Sequence, residues 1–250
     1  MQSKNTGEKL WRSVLKTEWT EVCPDPALRA KLWEDFQLIR KRIECPHNES
    51  HTLSFVIEMF RLSSVHKHRE GIFVEAGCFK GGSSAKFSLV ANHVKRKLWV
   101  FDSFQGMPHN EEEHDRSIFG YSIRDWFKKG EFCGSREEVE RNVSNLGAIE
   151  VCEFVEGWFD ETLAQFGQPV LGAYIDVDLA SSTKTCLKYL YPRLVPGGVI
   201  VSQDGDFPLV VEVFKDEHFW QEELGVEAPA VEGLGTKKML RIVKNCGGRE

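Results

Sequence analysis

The sequence contains no long hydrophobic run and no concentrated block of basic residues. No stretch approaches the roughly 20 consecutive apolar residues that a membrane-spanning helix needs. The first residues contain no apolar core of about 7–15 residues, so we expect no signal peptide. The formal net charge is −6, and lysines and arginines are dispersed along the chain. These absences argue against a membrane and against a nucleic acid as the main partner.

The seven cysteines are spread singly along the chain, and no two of them have C-x-x-C spacing. Their odd number and their spacing disfavour a disulfide framework and a zinc site. A reducing compartment fits this pattern, so we expect a cytoplasmic protein. Cys78 falls in a glycine-rich turn, where we interpret it as a small packing residue.

A chain of 250 residues with 41% hydrophobic residues can form one domain with a large core. We predict that residues 1–70 form a helical extension, because the apolar residues between Leu28 and Ile39 recur at helical spacing. This extension is predicted to be a layer packed on the domain, a lid or a dimer arm. Residues 71–250 are predicted to form the ligand-binding domain, with an insert at residues 105–134.

Residues 71–87, GIFVEAGCFKGGSSAKF, form the pattern around which the rest of the chain is organised. An apolar run typical of a buried strand comes first and is broken at Gly77. Gly81 and Gly82 follow, and Ser83 and Ser84 are predicted in N-cap position before a helical pattern. The order strand, glycine-rich turn and helix is typical of the opening of a nucleotide-binding α/β domain.

Two residues of this turn indicate which nucleotide it binds. Phe79 stands where a dinucleotide fingerprint needs its second glycine, and Glu75 would repel a pyrophosphate. A ligand with cationic groups and no phosphate suits Glu75, and S-adenosylmethionine has an ammonium and a sulfonium group. The N-terminus of the following helix suits its carboxylate. We therefore predict S-adenosylmethionine as the cofactor, with Glu75, Gly77, Phe79, Gly81 and Ser83 in its site.

The ends of the next two strands supply further cofactor contacts. The apolar strand in KLWVFDSF ends at Asp102 and Ser103, which we predict to bind the ribose hydroxyls. The alternative is that Asp102 caps the next turn. The strand in VCEFVEGWF ends at Gly157 and Trp158, which we predict to contact the adenine. The alternative for Trp158 is a place in the core.

The insert at residues 105–134 follows the second strand. Long loops at the carboxyl edge of a parallel sheet commonly hold substrate, so its aromatic residues are predicted to line a substrate pocket or to pack. These aromatic residues are Phe119, Tyr121 and Trp126. The charge run Glu111–Glu113 is predicted to be solvated. His109 and His114 are candidate bases, with a plain surface position as the alternative.

Carboxylates cluster at the ends of the fourth and fifth strands. AYIDVDLASST contains Asp176 and Asp178, and VIVSQDGDF contains Gln203, Asp204 and Asp206. Because adjacent parallel strands end at the same edge of a sheet, we expect these side chains to converge. Clustered carboxylates repel one another unless they are protonated or bridged by a cation, and oxygen ligands suit Mg²⁺. The alternative is that two of them cap helices or solvate loop ends.

Local signals set the predicted bounds of the neighbouring elements. Ser181 or Ser182 is predicted to cap the helix after the fourth strand. The fifth strand is predicted at Val199–Phe207, a helix at Val210–Phe219 and a last strand at Lys237–Lys244.

Four motifs together, FVEAGCFKGGSS, FDSFQGMP, IDVDLASST and LVPGGVIVSQDG, resemble the TylF/MycF-type, or macrocin, O-methyltransferase family. This family belongs to the class I S-adenosylmethionine-dependent methyltransferases. The resemblance implies a Rossmann-like α/β fold, in which a seven-stranded, mostly parallel sheet has an antiparallel last strand and helices on both faces. It also implies S-adenosylmethionine as methyl donor, commonly Mg²⁺, hydroxyl acceptors on deoxysugars of natural products, and often a dimer.

Carried over by position, the resemblance makes Glu75, Gly77 and Asp102 cofactor contacts and Asp176 the first metal ligand. Gln203 and Asp204 fall where the family has a paired Asp-Asp. Gln203 therefore replaces one expected carboxylate and reduces the negative charge at the metal. Ala180 also replaces a tyrosine that is usual in the family's D-x-D-x-Y-x-S-T pattern.

The sequence thus predicts an S-adenosylmethionine-dependent methyltransferase that acts on a hydroxyl of a small molecule or of a natural-product sugar. We predict Asp176, Asp204 and Gln203 as ligands of Mg²⁺, and Asp176, Asp204 and His109 as the catalytic residues. With a metal, Asp176 and Asp204 would hold it; without one, His109, His114 or Asp204 would be the base. Three alternatives stay open: an N-methyltransferase, a cofactor-binding protein without catalysis, and a nicotinamide-dependent oxidoreductase. Phe79 and Glu75 disfavour the last of these. We also expect a homodimer.

Overall fold

A computed structural model describes residues 15–45 and 49–245, which form an α/β arrangement of three layers. The strands are β1 (Ile72–Ala76), β2 (Leu98–Asp102), β3 (Cys152–Glu156), β4 (Val170–Ile175), β5 (Leu194–Ser202), β6 (Val231–Glu232) and β7 (Leu240–Val243). They form one seven-stranded sheet in the order β3-β2-β1-β4-β5-β7-β6. β1 to β5 are parallel and β7 is antiparallel to β5. The predicted fold class and the antiparallel last strand are therefore confirmed.

Helices cover both faces of the sheet. They are α1 (Pro26–Arg42), α2 (Glu49–Val65), α3 (Gly82–His93), α4 (Arg136–Leu146), α5 (Phe159–Gln165), α6 (Ala180–Arg193) and α7 (Pro208–Lys215), and residues 15–22 are also helical. Alternate strand residues point to opposite faces, so Phe73 packs with α1 to α4 while Val74 packs with α5 to α7. Two apolar cores result, and all five parallel strands end at one common edge.

The helices before β1 pack directly on the sheet. Phe55 of α2 is fully buried, and its ring lies 6.1 Å from that of Phe73 and 5.6 Å from that of Tyr174, between ring centroids. The buried Lys86 of α3 also pairs with Glu49 of α2 at 3.3 Å. The helical spacing that predicted α1 is therefore confirmed, and α2 is a second helix within the predicted extension. Residues 1–14 of the predicted extension lie outside the described residues.

The predicted ends of the last elements are wrong by several residues. β5 begins at Leu194, not at Val199, because Leu194 already pairs with Val170 before a shift in register. It ends at Ser202, so Gln203, Asp204 and Asp206 lie in the loop after it. The helix predicted at Val210–Phe219 is α7 at Pro208–Lys215, followed by a separate π-helical turn at Phe219–Glu223, and the last strand is shorter than predicted. The two-residue strand β6 was not predicted because no periodicity extends over so few residues.

Candidate active site

A cavity of about 310 Å³ opens at the carboxyl edge of the parallel strands. Its walls come from the glycine-rich turn, the insert, and the loops after β2, β3, β4 and β5. Of the predicted site residues, those that line it are Gly77, Phe79, Ser83, Asp102, Ser103, Gly157, Trp158, Asp176 and Gln203. The structure therefore brings most of the predicted cofactor and acceptor contacts to one place.

The glycine-rich turn has a shape that side chains would prevent. Gly77 has a φ of +83°, and a Cβ there would lie 1.9 Å from the carbonyl oxygen of Asp176. Gly81, which caps α3 with a φ of +81°, does not line the cavity. At Gly77, only glycine can adopt the positive φ and also allow the ends of β1 and β4 to lie so close together. Phe79 also has a positive φ of 49°, and it stands in the cavity wall.

Glu75 lies behind the turn and not in the cavity wall. Its side chain is completely buried, and Ser84 Oγ donates a hydrogen bond to its Oε2 at 2.5 Å. Its other oxygen, Oε1, has no hydrogen-bond partner within the described part of the chain. Burial raises the pKa of Glu75 to about 8, although hydrogen bonds from Ser83 and Ser84 oppose that rise. Its predicted attraction of a cationic ligand stays a prediction.

Asp102 ends β2 at the bottom of the cavity. Its Oδ2 accepts a hydrogen bond from the Cys78 amide at 2.8 Å, and its Oδ1 accepts one from the Phe104 amide at 2.8 Å. Burial raises the pKa of Asp102, and these amides oppose the rise. A carboxylate can accept several hydrogen bonds in all, which suits a residue that also meets ligand hydroxyls. The Asp102 carbonyl also accepts from the Gly157 amide at 3.0 Å, which joins the predicted ribose and adenine sites.

Asp176, Asp178 and Asp204 form a carboxylate cluster, with oxygens within 4.8 Å of one another. Asp204 is completely buried, and its Oδ2 accepts from the amides of Val177 at 2.9 Å and Asp178 at 3.0 Å. Its Oδ1 has no hydrogen-bond partner among the residues described. Burial, and then the neighbouring carboxylates, raise the pKa of Asp178 and of Asp204.

Gln203 reaches the cluster as a hydrogen-bond donor and not as an oxygen ligand. Its Nε2 donates to Asp176 Oδ1 at 2.9 Å, while its Oε1 accepts from the Tyr174 hydroxyl at 2.6 Å. A carboxylate can only accept, so this network fixes which end of the amide faces Asp176. The prediction of Gln203 as a metal ligand is not supported by this geometry, and Asp178 stands in the cluster in its place.

The possible ligand atoms of the carboxylate cluster fit a divalent cation. The cluster of Asp176, Asp178 and Asp204 offers carboxylate oxygens only, which Mg²⁺ prefers. The buried Asp204 Oδ1 lacks a partner, and an unpaired buried charge is costly unless a cation or a proton meets it.

Asp206 lies beside the cluster but is engaged elsewhere. Lys238 Nζ donates to its Oδ1 at 2.7 Å, and the hydroxyl of Tyr121 donates to its Oδ2. Its carbonyl accepts from the Ile118 amide at 2.9 Å. Asp206 therefore joins the loop after β5 to the insert and to the residues before β7, and each of its carboxylate oxygens already accepts a hydrogen bond.

The charge run Glu111–Glu113 is not simply solvated. Glu112 accepts hydrogen bonds from the amides of Ala180 and Ser181 at 2.8 Å each, and from Ser181 Oγ at 2.6 Å. It therefore caps α6, a role predicted for Ser181 or Ser182. Burial alone would raise the pKa of Glu112, but hydrogen bonds from His114, Ser181 and Ala180 lower it to about 2.

The histidine base candidates lie away from the main cavity. His109 is exposed and lines a separate hollow with His114, and neither contributes to the cavity wall. His114 Nε2 lies 3.2 Å from Glu112 Oε2, and the ring packs on Phe127. His109 as base stays a prediction for which the described geometry offers no support.

The insert supplies an aromatic wall. Trp126, Phe127 and Phe132 line the cavity, whereas Phe119 and Tyr121 do not. Tyr121 stacks on Trp126 with 5.8 Å between ring centroids. Of the three aromatic residues predicted to line a substrate pocket or to pack, Trp126 lines this cavity. Two further aromatic residues of the insert, Phe127 and Phe132, line it as well.

The profile of the macrocin O-methyltransferase (TylF) family matches residues 59–232, which is more than half of the chain. The chain belongs to this family. Membership confirms the predicted enzyme class, an O-methyltransferase, and supports S-adenosylmethionine as its methyl donor.

Two curated relatives are O-methyltransferases of named compounds. One is mycinamicin III 3''-O-methyltransferase of Micromonospora griseorubida, 26% identical over 89% of this chain and 94% of its own. Another is a 4'-O-methyltransferase of Streptomyces olivaceus that acts on a rhamnosylated tetracenomycin, 31% identical over 66% of this chain and 64% of its own. The match therefore spans slightly under two thirds of the second relative.

The solved O-methyltransferase NovP has the same fold. It superimposes with a TM-score of 0.66 at 21% identity and covers 88% of this chain and 100% of its own. Within the described residues of the methyltransferase, no helix combines the length and the apolar character needed to cross a membrane.

Sequence reasoning missed Lys238 and Glu112 in this methyltransferase. β7 is antiparallel to β5, so the residues before it lie at the carboxyl end of β5, where Ser202 pairs with Leu240. That topology was a signal that could have placed Lys238 at the site. No signal pointed to Glu112, which lies 68 residues before Ala180 in the sequence.

Proposed function

We propose that this protein transfers the methyl group of S-adenosylmethionine to a hydroxyl group of a small natural product, most naturally a deoxysugar hydroxyl. One observation carries this proposal: the cavity joins the glycine-rich turn and Asp102 to the carboxylate cluster. The acceptors named for the two curated relatives support the substrate class.

The donor half of the cavity comprises the turn and the ends of β2 and β3. Asp102 would accept from the ribose hydroxyls, and Trp158 would pack on the adenine. Phe79 stands in the wall where a pyrophosphate would need a glycine, which supports S-adenosylmethionine over a nicotinamide cofactor.

The acceptor half comprises the carboxylates and the aromatic wall. Trp126 and Phe132 are partly exposed and offer ring faces to an acceptor. Asp176 lies in the wall and would receive the proton of the acceptor hydroxyl, since a neutral hydroxyl is a poor nucleophile. Holding the oxygen in line with the methyl group is the larger contribution of the site.

A divalent cation, for which Mg²⁺ is our proposal, would be held by Asp176, Asp178 and Asp204. When bound, it would lower the pKa of the acceptor hydroxyl and orient it. Gln203 would keep Asp176 in place through its amide N–H. The uncharged amide leaves this cluster with less negative charge than the paired carboxylates of the family would give.

Three further expectations form part of the proposal. The protein is expected in the cytoplasm, and the absence of disulfides among its described cysteines is consistent with that. Residues 1–70 are expected to cover the donor half, since Glu44 and His51 line the cavity. A homodimer is expected from the family resemblance alone.

The test is a methyl-transfer assay with radiolabelled S-adenosylmethionine and mycinamicin III as the first acceptor, followed by other glycosylated macrolides and aromatic polyketides. Label should appear in an acceptor, and Asp176→Asn should reduce the rate at least about 100-fold, while Asp160→Asn on the exposed start of α5 should not. Cofactor binding without transfer to any acceptor would favour a non-catalytic protein. Label found on an amine would favour N-methyl transfer.

A further inference from the structure

Lys238 has no role in the methyl-transfer scheme above. Lys238 precedes β7, and its carbonyl accepts from the Gly205 amide at 2.8 Å. This contact holds the residue beside the loop that carries Asp204 and Asp206. The side chain of its neighbour Lys237 is more exposed than that of Lys238, and its Nζ lies 3.1 Å from Glu232 Oε1 on the surface.

The side chain of Lys238 lines the acceptor half of the cavity. Its Nζ lies 2.7 Å from Asp206 Oδ1 and 4.9 Å from the centroid of the Phe207 ring, and about a quarter of the side chain (26%) is exposed. Among the described residues that line the cavity, Lys238 is the one lysine or arginine. Asp176 and Asp178 line the same cavity.

The charge state of Lys238 makes it a hydrogen-bond donor. Burial alone would lower the pKa of its amine, but Asp206, Asp204 and Asp176 more than offset this, and the pKa is raised. The ammonium therefore keeps three N–H groups, of which Asp206 accepts one. A protonated amine cannot take the proton of the acceptor, but it can stabilise negative charge that develops on oxygen.

We propose that Lys238 is a catalytic residue that donates a hydrogen bond to the acceptor oxygen as that oxygen loses its proton. Asp176 takes the hydroxyl proton, and an oxygen electron pair forms the new O–CH₃ bond. The electrons of the S–CH₃ bond return to sulfur and leave neutral S-adenosylhomocysteine. This role rests on the proposed function, since it requires an oxygen acceptor in this cavity.

The competing explanation is that Lys238 only neutralises the buried Asp206. Four variants separate the two roles: Lys238→Met, Asp206→Asn, the double variant of both, and Lys237→Met as the matched control. Methionine keeps an unbranched side chain of similar length, one atom shorter, and removes the charge. Each protein is measured for kcat and KM, for binding of S-adenosylhomocysteine by calorimetry, and for its urea unfolding midpoint.

The proposal predicts that Lys238→Met lowers kcat about 100-fold with donor affinity nearly unchanged, and that Lys237→Met stays within about twofold of wild type. The double variant should recover the stability lost in Lys238→Met, because no buried carboxylate is left unpaired, but it should not recover kcat. Recovery of kcat in the double variant, or unchanged kcat in Lys238→Met, would overturn the catalytic role. A wild-type protein that transfers no methyl group would overturn the proposed function itself.

Discussion

At the scale of single residues, the site depends on carboxyl groups whose burial changes their charge. Glu75 is completely buried with one oxygen lacking a described partner, and burial raises its pKa to about 8. At neutral pH it is therefore largely protonated in the folded protein. A cation in the cavity would favour its ionised form, so its charge is linked to the ligand state of the site.

This pKa predicts a specific dependence of stability on pH. Unfolded Glu75 titrates near 4.5 and the folded residue near 8, so the folded state binds the extra proton between these values. The contribution to stability is complete below about pH 4.5 and decreases by up to about 1.4 kcal/mol per pH unit as the pH rises towards 8. Glu75→Gln cannot ionise, so its unfolding free energy should lack this decrease.

The measurement is urea unfolding of wild type, Glu75→Gln and the exposed control Glu153→Gln at pH 5, 6.5 and 8. The difference between Glu75→Gln and wild type should shift in favour of the variant as the pH rises, and the control should follow wild type. Parallel pH curves for Glu75→Gln and wild type would show that Glu75 titrates normally in the folded protein.

At the scale of elements, the insert is attached to the helix that follows the carboxylate cluster. Glu112 accepts two amide hydrogen bonds at the start of α6, where the helix dipole favours a negative charge. Its low pKa of about 2 keeps it ionised at any ordinary pH. The contact holds the aromatic wall of the insert next to Asp176 and Asp178.

We predict that Glu112→Gln reduces the unfolding free energy by about 1–2 kcal/mol, as expected for loss of a charged helix cap. It should also raise KM for the acceptor while the affinity for S-adenosylhomocysteine changes little, because the donor half does not depend on this contact. Denaturant midpoints and steady-state kinetics measure the two effects, with exposed Glu113→Gln as control. Equal losses of donor and acceptor affinity would indicate a general loss of structure instead.

At the scale of the whole molecule, the sheet, the glycine-rich turn and the acids at the strand ends could be predicted from the sequence. Each of them depends on the order of residues within a short segment. Asp102 and Asp176 follow apolar strands, and parallel strands end at one edge. The capping of α6 by Glu112 and the position of Lys238 arise from contacts between distant segments. The orientation of the Gln203 amide likewise depends on Tyr174, whose hydroxyl is buried beneath it.

We predict above all that this cavity binds the methyl donor, whether or not a cation occupies the neighbouring carboxylate cluster. Calorimetric titration with S-adenosylhomocysteine, once with Mg²⁺ and once with EDTA, tests it most directly, and NADH serves as the competing ligand. The account predicts tight binding of S-adenosylhomocysteine under both conditions, weakened at least about tenfold in Asp102→Asn, with no binding of NADH. Binding of NADH without binding of S-adenosylhomocysteine would contradict the account.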